Sequence, residues 1–288
     1  MNRLILFIAV LTLFIGSNAY TQQANESWIT LFNGKDLQGW DTYIGPDLDS
    51  AGKKITNVPV GLNKDPRQVF TIVEQDAEKI IRISGESWGG ISTLKEYMNY
   101  HFQLKFKWGT QTWGQKKNKK RDSGLLYHAV GEHGADYGAW MRSQEFQIEE
   151  TNTGDYWGVA GGIQDITAFK KADNRYVYAQ TGTMYTFSAI SPVGRHCVKG
   201  SDAEAPSGEW NTIDLYCLGD LSIHMVNGKI MMVLYNSRQL NNGQETPLTK
   251  GKIQIQSEGA EIFYKGIKLQ YITKIPADIM KEAGLINN

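Results

Sequence analysis

His101-Phe102-Gln103-Leu104-Lys105-Phe106-Lys107-Trp108 alternates polar and apolar side chains without a break. Successive side chains on a strand point to opposite faces, so this stretch reads as a half-buried antiparallel strand and not as a helix. Gly251-Lys252-Ile253-Gln254-Ile255-Gln256 repeats the pattern far along the chain. Between and around these two lie further short runs punctuated by Gly, Asn and Asp. They are Val69 to Glu74, Ile80 to Ser84, Tyr100 to Trp108, Gly124 to Val130, Gln144 to Glu150, Thr212 to Leu218, Leu221 to Val226, Ile230 to Tyr235, Lys252 to Ser257 and Ile262 to Tyr271. Asn227-Gly228 separates two apolar runs and predicts a tight hairpin. Only Pro276 to Ala283 looks helical. Many short strands in one chain predict an all-β, two-sheet antiparallel jelly-roll sandwich.

The N-terminus predicts an export signal over residues 1–19. Asn2 and Arg3 precede an apolar run from Leu4 to Ile15, and Ser17-Asn18-Ala19 offers small residues for cleavage, so the mature chain is expected to begin at Tyr20. That run falls short of the roughly 20 apolar residues needed to span a bilayer. Residues 20–288 then form a single domain, periplasmic or extracellular, with no further segment apolar enough for membrane insertion. The whole chain has 30 basic and 30 acidic residues, which gives no electrostatic reason to expect nucleic acid as a partner. Cys197 and Cys217 are the only cysteines; an oxidising compartment permits a disulfide between them, and two separate buried thiols are the alternative.

Two long segments, residues 43 to 66 and 152 to 206, are too extended for ordinary sandwich loops and are expected to wall a pocket. Gln115-Lys116-Lys117-Asn118-Lys119-Lys120-Arg121 reads as a solvated hairpin tip.

The chemistry-bearing stretch is Trp140-Met141-Arg142-Ser143-Gln144-Glu145-Phe146-Gln147-Ile148-Glu149-Glu150. Period two puts Glu145, Gln147 and Glu149 on one face, and a buried carboxylate needs a partner or a task. A sugar would supply both; the bland alternative is a strand whose polar face meets water. Glu145 is the first candidate general acid or base, and Glu149 the second. Gln147 is a candidate for holding hydroxyls. Arg142 lies at an odd offset from Glu145, so it reaches that face only if it precedes the strand or a bulge re-aims it. His128 and His224 end and open apolar strands and are further catalytic candidates. With Glu145 they form one candidate set for a divalent cation, although no tight ligand spacing demands a metal. Glu132, His133 and Asp136 sit in a Gly-rich segment that reads as an exposed turn. Most aromatic side chains are expected in the core, but Trp88, Trp113, Trp140, Tyr156 and Trp157 stand beside glycines in predicted loops, which makes them better candidates for sugar stacking than Trp108 or Trp210.

Trp28 to Trp40 (WITLFNGKDLQGW) resembles the opening of the 3-keto-disaccharide hydrolase family. Ser123 to His128, the strand carrying Arg142-Ser143 and Glu145 to Ile148, Gly208 to Asn211, His224 to Gly228 and Gly251 to Ile267 resemble that family's later blocks, in its order. The resemblance covers nearly the whole mature chain. It implies a concanavalin-like jelly roll acting on sugars, similar in architecture to laminarinase-type glycosidases. Those carry Glu-x-Asp-x-Glu on a strand, whereas this chain has Glu145-x-Gln147-x-Glu149. The resemblance further implies a substrate with a ketone at C3, which acidifies the C2 proton and opens a route by elimination as well as by hydrolysis. The expected ligand is a glycoside or oligosaccharide. A non-catalytic, lectin-like module of the same fold is the rival expectation, and a structural calcium-binding sandwich a third.

Overall fold

A computed structural model describes residues 27–287; the predicted export signal lies outside them. Among the described residues, two antiparallel sheets pack face to face. The eight-stranded front sheet runs in the order His196–Cys197, Tyr156–Val159, Arg142–Glu149, Asp122–Val130, Lys252–Ser257, Gly89–Thr93, Trp40–Leu48 and Lys54–Leu62. The back sheet has twelve strands and is centred on Tyr100–Thr112, paired on one side with Asn211–Leu218 and on the other with Ala260–Tyr271.

The alternation that predicts this architecture is realised residue by residue. Tyr100, Phe102, Leu104, Phe106 and Trp108 point into the sandwich, while Lys105 is exposed. From the front sheet, Leu125, Phe146, Ile148, Ile253 and Ile255 meet them in one continuous core. Burying such side chains contributes about 1.5 to 3 kcal/mol each before entropy is counted. The Asn227-Gly228 turn has both central residues at positive φ, 48° and 77°, the geometry of a two-residue hairpin that matches strand twist. The helix Ala277–Glu282 is shorter than expected by one residue at each end. Ile279 and Met280 cover Tyr216, Ile223 and Met225 on the outer face of the back sheet.

The two long segments are not loops throughout. Residues 40–62 form the hairpin Trp40–Leu48 and Lys54–Leu62, and residues 152–206 contain Tyr156–Val159, Gly162–Lys170, Tyr176–Tyr178 and Thr183–Phe187. These strands lack a clean alternation because both faces of Lys54–Leu62, and most of Thr183–Phe187, remain solvated. Cys197 and Cys217 are both free and buried, so the disulfide alternative does not hold. Cys197 packs in a satellite cluster with Tyr156 and Phe187, whereas Cys217 belongs to the main core.

Candidate active site

The strand Arg142–Glu149 sends Phe146 and Ile148 inward, and therefore Glu145, Gln147 and Glu149 to the opposite face of the front sheet. There they line a cleft of about 480 Å³. Register brings the other polar groups to it. Trp157 sits directly across from Glu145 on one neighbouring strand, and Leu126 across from it on the other. Asp122 faces Glu149, and Gly124 faces Gln147. Glycine at 124 leaves room for the Glu145 carboxyl and the Gln256 amide, whose ends a Cβ there would displace.

Three structural groups shape the cleft. Trp140 stacks on Trp88 with centroids 5.2 Å apart, fixed by its indole N–H donating to the Gly89 carbonyl at 3.0 Å, and Tyr137 meets both rings edge-on. Opposite, Trp157 stacks on His196 at 4.2 Å, and His196 is held by Asp155 at 2.8 Å. Arg195 lies 5.5 Å from the centre of the Trp157 ring and pairs with Asp136 at 2.7 Å. At the far end Lys116 bonds Asp122 and reaches Glu149 at 3.3 Å, and Asn152 also donates to Glu149.

The electrostatics follow from crowding carboxyls in a partly dry cleft. Burial pushes the Glu145 carboxyl well above the usual carboxylate range, and the neighbouring Asp122 adds to this, while Arg195 opposes it. Burial also raises Glu258, helped by Asp122 and Glu145, and raises Asp122 against the pull of Lys116. Burial alone would lower the Lys116 ammonium, but Asp122 and the other carboxylates outweigh it and raise it. Two acceptors are left unpartnered: the side-chain oxygens of Gln147 and Gln256 find no donor among the described residues, although both side chains are buried. Orphaned acceptors of this kind cost ~1–3 kcal/mol each unless a ligand or water donates to them.

Of the residues expected from sequence, Glu145, Gln147, Glu149, Trp140 and Trp157 come together here, as does Trp88. The others do not. His128 is fully buried between the sheets beside Tyr100 and Tyr127, and burial lowers its pKa to about 4. Alternation would have placed it on the cleft face with Leu126, but it adopts φ 52° at a register shift, which turns its ring into the core. His224 projects from the back sheet, stacks on Phe146 at 4.3 Å and contacts the Tyr127 hydroxyl at 3.1 Å; burial lowers its pKa to about 3. The proposed trio of His128, His224 and Glu145 therefore does not converge. Among the described residues no group of three His, Cys, Asp or Glu is placed to hold a metal ion.

Arg142 begins the strand on the face opposite Glu145, as its odd offset requires. It donates to the Ala160 carbonyl at 2.8 Å and to Gln239 at 3.3 Å, a structural role. Tyr156 is buried and donates to Gln144 at 2.7 Å. Trp113 lines an adjoining cleft and donates to the Ser84 carbonyl at 2.9 Å.

Sequence reasoning missed the cations and three of the five acids lining the cleft, Asp122, Asp136 and Glu258. Lys116 belongs to the supposed solvated tip but turns inward, while Asp136 both closes the expected turn and pairs with Arg195. The Gln254-x-Gln256 alternation carried a usable signal, a second amide row beside the first. Arg195, inside the long segment, carried none.

Among solved structures the chain is similar to a protein of Parabacteroides distasonis described as a glycosyl hydrolase, with 17% identity over 86% of this chain and 94% of that one and a TM-score of 0.45. It is similar also to a galectin-like-fold protein of Bacillus subtilis, at 11% identity, 85% and 94% coverage and a TM-score of 0.47. An endo-beta-1,3(4)-glucanase of family GH16 matches at 12% identity, 86% and 93% coverage and a TM-score of 0.42. No curated protein matches the chain. The model of the 3-keto-alpha-glucoside-1,2-lyase-like domain matches residues 27–270, nearly all of the sandwich and every residue of the cleft, and the chain belongs to that carbohydrate-active family.

Proposed function

We propose that this protein is an exported enzyme that cleaves 3-keto-glycosides by elimination, with Glu145 carrying the proton. The carrying observation is the Glu145 carboxyl itself, buried, pushed up by its surroundings and placed between an aromatic wall and two unpartnered amide oxygens. A carboxyl whose pKa is raised toward neutrality is a stronger base when ionised and a usable acid when protonated.

Ionised Glu145 removes the C2 proton of the bound sugar. The C–H electron pair becomes the C2–C3 double bond of an enolate, and negative charge moves to the C3 oxygen. When the carbonyl reforms, a double bond forms between C1 and C2, the C1–O bond breaks, and the departing oxygen takes the proton back from Glu145. One carboxyl serves both transfers because C2 and the glycosidic oxygen are neighbours in the substrate. Glu149 is less suited to a second role. Its Cα lies ~13 Å from that of Glu145 in an extended strand, and its oxygens are engaged by Lys116 and Asn152. Arg195, already felt by Glu145, supplies positive charge for the enolate oxygen. Gln147 and Gln256 accept from sugar hydroxyls. Hydrolysis overall follows if water then adds to the unsaturated product. Export is supported by the leader-like residues 1–19.

The test is incubation of the mature protein with a 3-keto-glucoside in heavy water, with and without chelator. Aglycone release with deuterium at C2 or an unsaturated 3-keto product is expected. Release without either points to direct hydrolysis. Sugar binding without release would reject catalysis in favour of a lectin-like module.

A further inference from the structure

A second cleft, of about 560 Å³, adjoins the first and shares Trp88 and Gln115 with it. It lies between the hairpin of residues 40–62 and the segments around Ser87 and Trp113. We propose that this cleft receives the leaving group, and that it fits a flat aromatic alcohol and not a second sugar. The proposal rests on the reading of the first cleft as the site of glycoside cleavage.

Hydrogen-bond supply separates the two clefts. In the first cleft, buried acceptors on Gln147 and Gln256 lack donors, which suits a hydroxylated ring. In the second, Arg67, Asp47, Ser87, Asp49 and Trp113 are already engaged, and the lining side chains that keep free hydrogen-bonding capacity include the exposed Ser50, Glu86 and Lys117 and the half-buried Gln115. Arg67 donates to Asp47 at 2.5 and 3.0 Å and to Ser87 at 2.9 Å. Asp49 accepts from the backbone N–H groups of Ala51 and Lys53, both at 2.9 Å, and the Trp113 indole N–H is taken by Ser84 at 2.9 Å. A pyranose placed here would bury hydroxyls with few free partners, at a cost of ~1–3 kcal/mol for each one left unsatisfied. The apolar wall, by contrast, offers open surface: Ile55 is 69% and Trp113 38% exposed, beside half-buried Leu48 and Trp88 and buried Pro46. An aromatic ring entering between them removes apolar surface from water on both sides. Shared walls place it on the same molecule as the sugar in the first cleft.

The test compares three 3-keto-glucosides that differ only in leaving group: methyl, glucosyl and 2-naphthyl. Aryl groups leave faster for intrinsic reasons, so KM is the quantity read, together with tryptophan-fluorescence titration of free 2-naphthol. The naphthyl KM is expected about tenfold or more below the other two, equivalent to ~1.4 kcal/mol. Ile55→Asp, on an exposed side chain, should raise the naphthyl KM several-fold relative to the methyl KM and weaken naphthol binding in step. A glucosyl KM equal to or below the naphthyl KM overturns the proposal, as does an Ile55→Asp variant with an unaltered ratio. If none of the three is cleaved, the reading of the first cleft fails instead. The naphthol titration still decides this one, since saturable binding weakened by Ile55→Asp upholds it and no saturable binding rejects it.

Discussion

Asp122 and Glu149 stand directly opposite each other on neighbouring strands, two carboxylates in register, and the Lys116 ammonium bonds both. Like charges so placed destabilise a sheet; here the lysine of a surface-looking basic run neutralises them. Lys116→Met should therefore cost about 3 to 5 kcal/mol, because it strands acids in a mostly buried position. Urea unfolding measures this, and adding Asp122→Asn to the variant should restore part of the loss. A Lys116→Met protein as stable as the parent would show that the pair is solvated.

Gly124 offers a probe of geometry without removing any functional group. Gly124→Ala pushes a methyl against Glu145 and Gln256, and a displacement near 1 Å costs on the order of 100-fold in rate. Aglycone release should fall by about that factor, with secondary structure by circular dichroism retained. Full activity in this variant would show that the ends of the Glu145 and Gln256 side chains shift without losing the working geometry.

Glu145→Gln should abolish turnover, by about 1000-fold or more, and at the same time stabilise the fold. The folded carboxyl has its pKa raised above the unfolded value, so the native state holds a proton that the unfolded chain releases. Its contribution is present below pH 4.5 and is lost as pH climbs toward the raised folded value. The glutamine variant escapes that loss, and its advantage should grow from pH 5 upward to about 1 to 3 kcal/mol. Thermal melts across pH 5 to 8 would show the two curves diverging; parallel curves would contradict the raised pKa.

The core histidines predict the opposite slope. His128 and His224 have folded values lowered by burial to about 4 and about 3, against 6.5 when unfolded. Stability from keeping them neutral is complete above pH 6.5 and is lost as pH falls toward 4, at up to ~1.4 kcal/mol per pH unit for each. His224→Gln should flatten the acid limb by about one histidine's share. An unchanged slope in chemical-denaturation series from pH 6.5 to 4.5 would rule His224 out as the buried proton acceptor.

The strands were legible where one face is buried and the other wet, as in Tyr100–Thr112 and Lys252–Ser257, because the period-two pattern is then enforced by the core. The same rule exposed the row of Glu145, Gln147 and Glu149. It misled at His128, where a left-handed residue inserts one position and reverses the parity. Gly251 makes room for it, since its missing side chain lets the His128 backbone approach, and a distant glycine gives no local signal. Lys116 was hidden among Lys117, Lys119 and Lys120, which have the same chemistry. Only the cross-strand register of Asp122 with Glu149 distinguishes it. Arg195 depends wholly on how a long segment folds back onto the front sheet.

The two unpaired thiols carry a practical corollary. Cys197 and Cys217 are sealed in separate clusters, so the native state owes nothing to a thiol oxidase. Burial raises both thiols, Cys217 to about 12, so little thiolate is offered to oxidants. The domain should fold in a reducing cytosol as well as outside it, keep its melting temperature in dithiothreitol, and tolerate peroxide that would inactivate a thiolate-dependent protein.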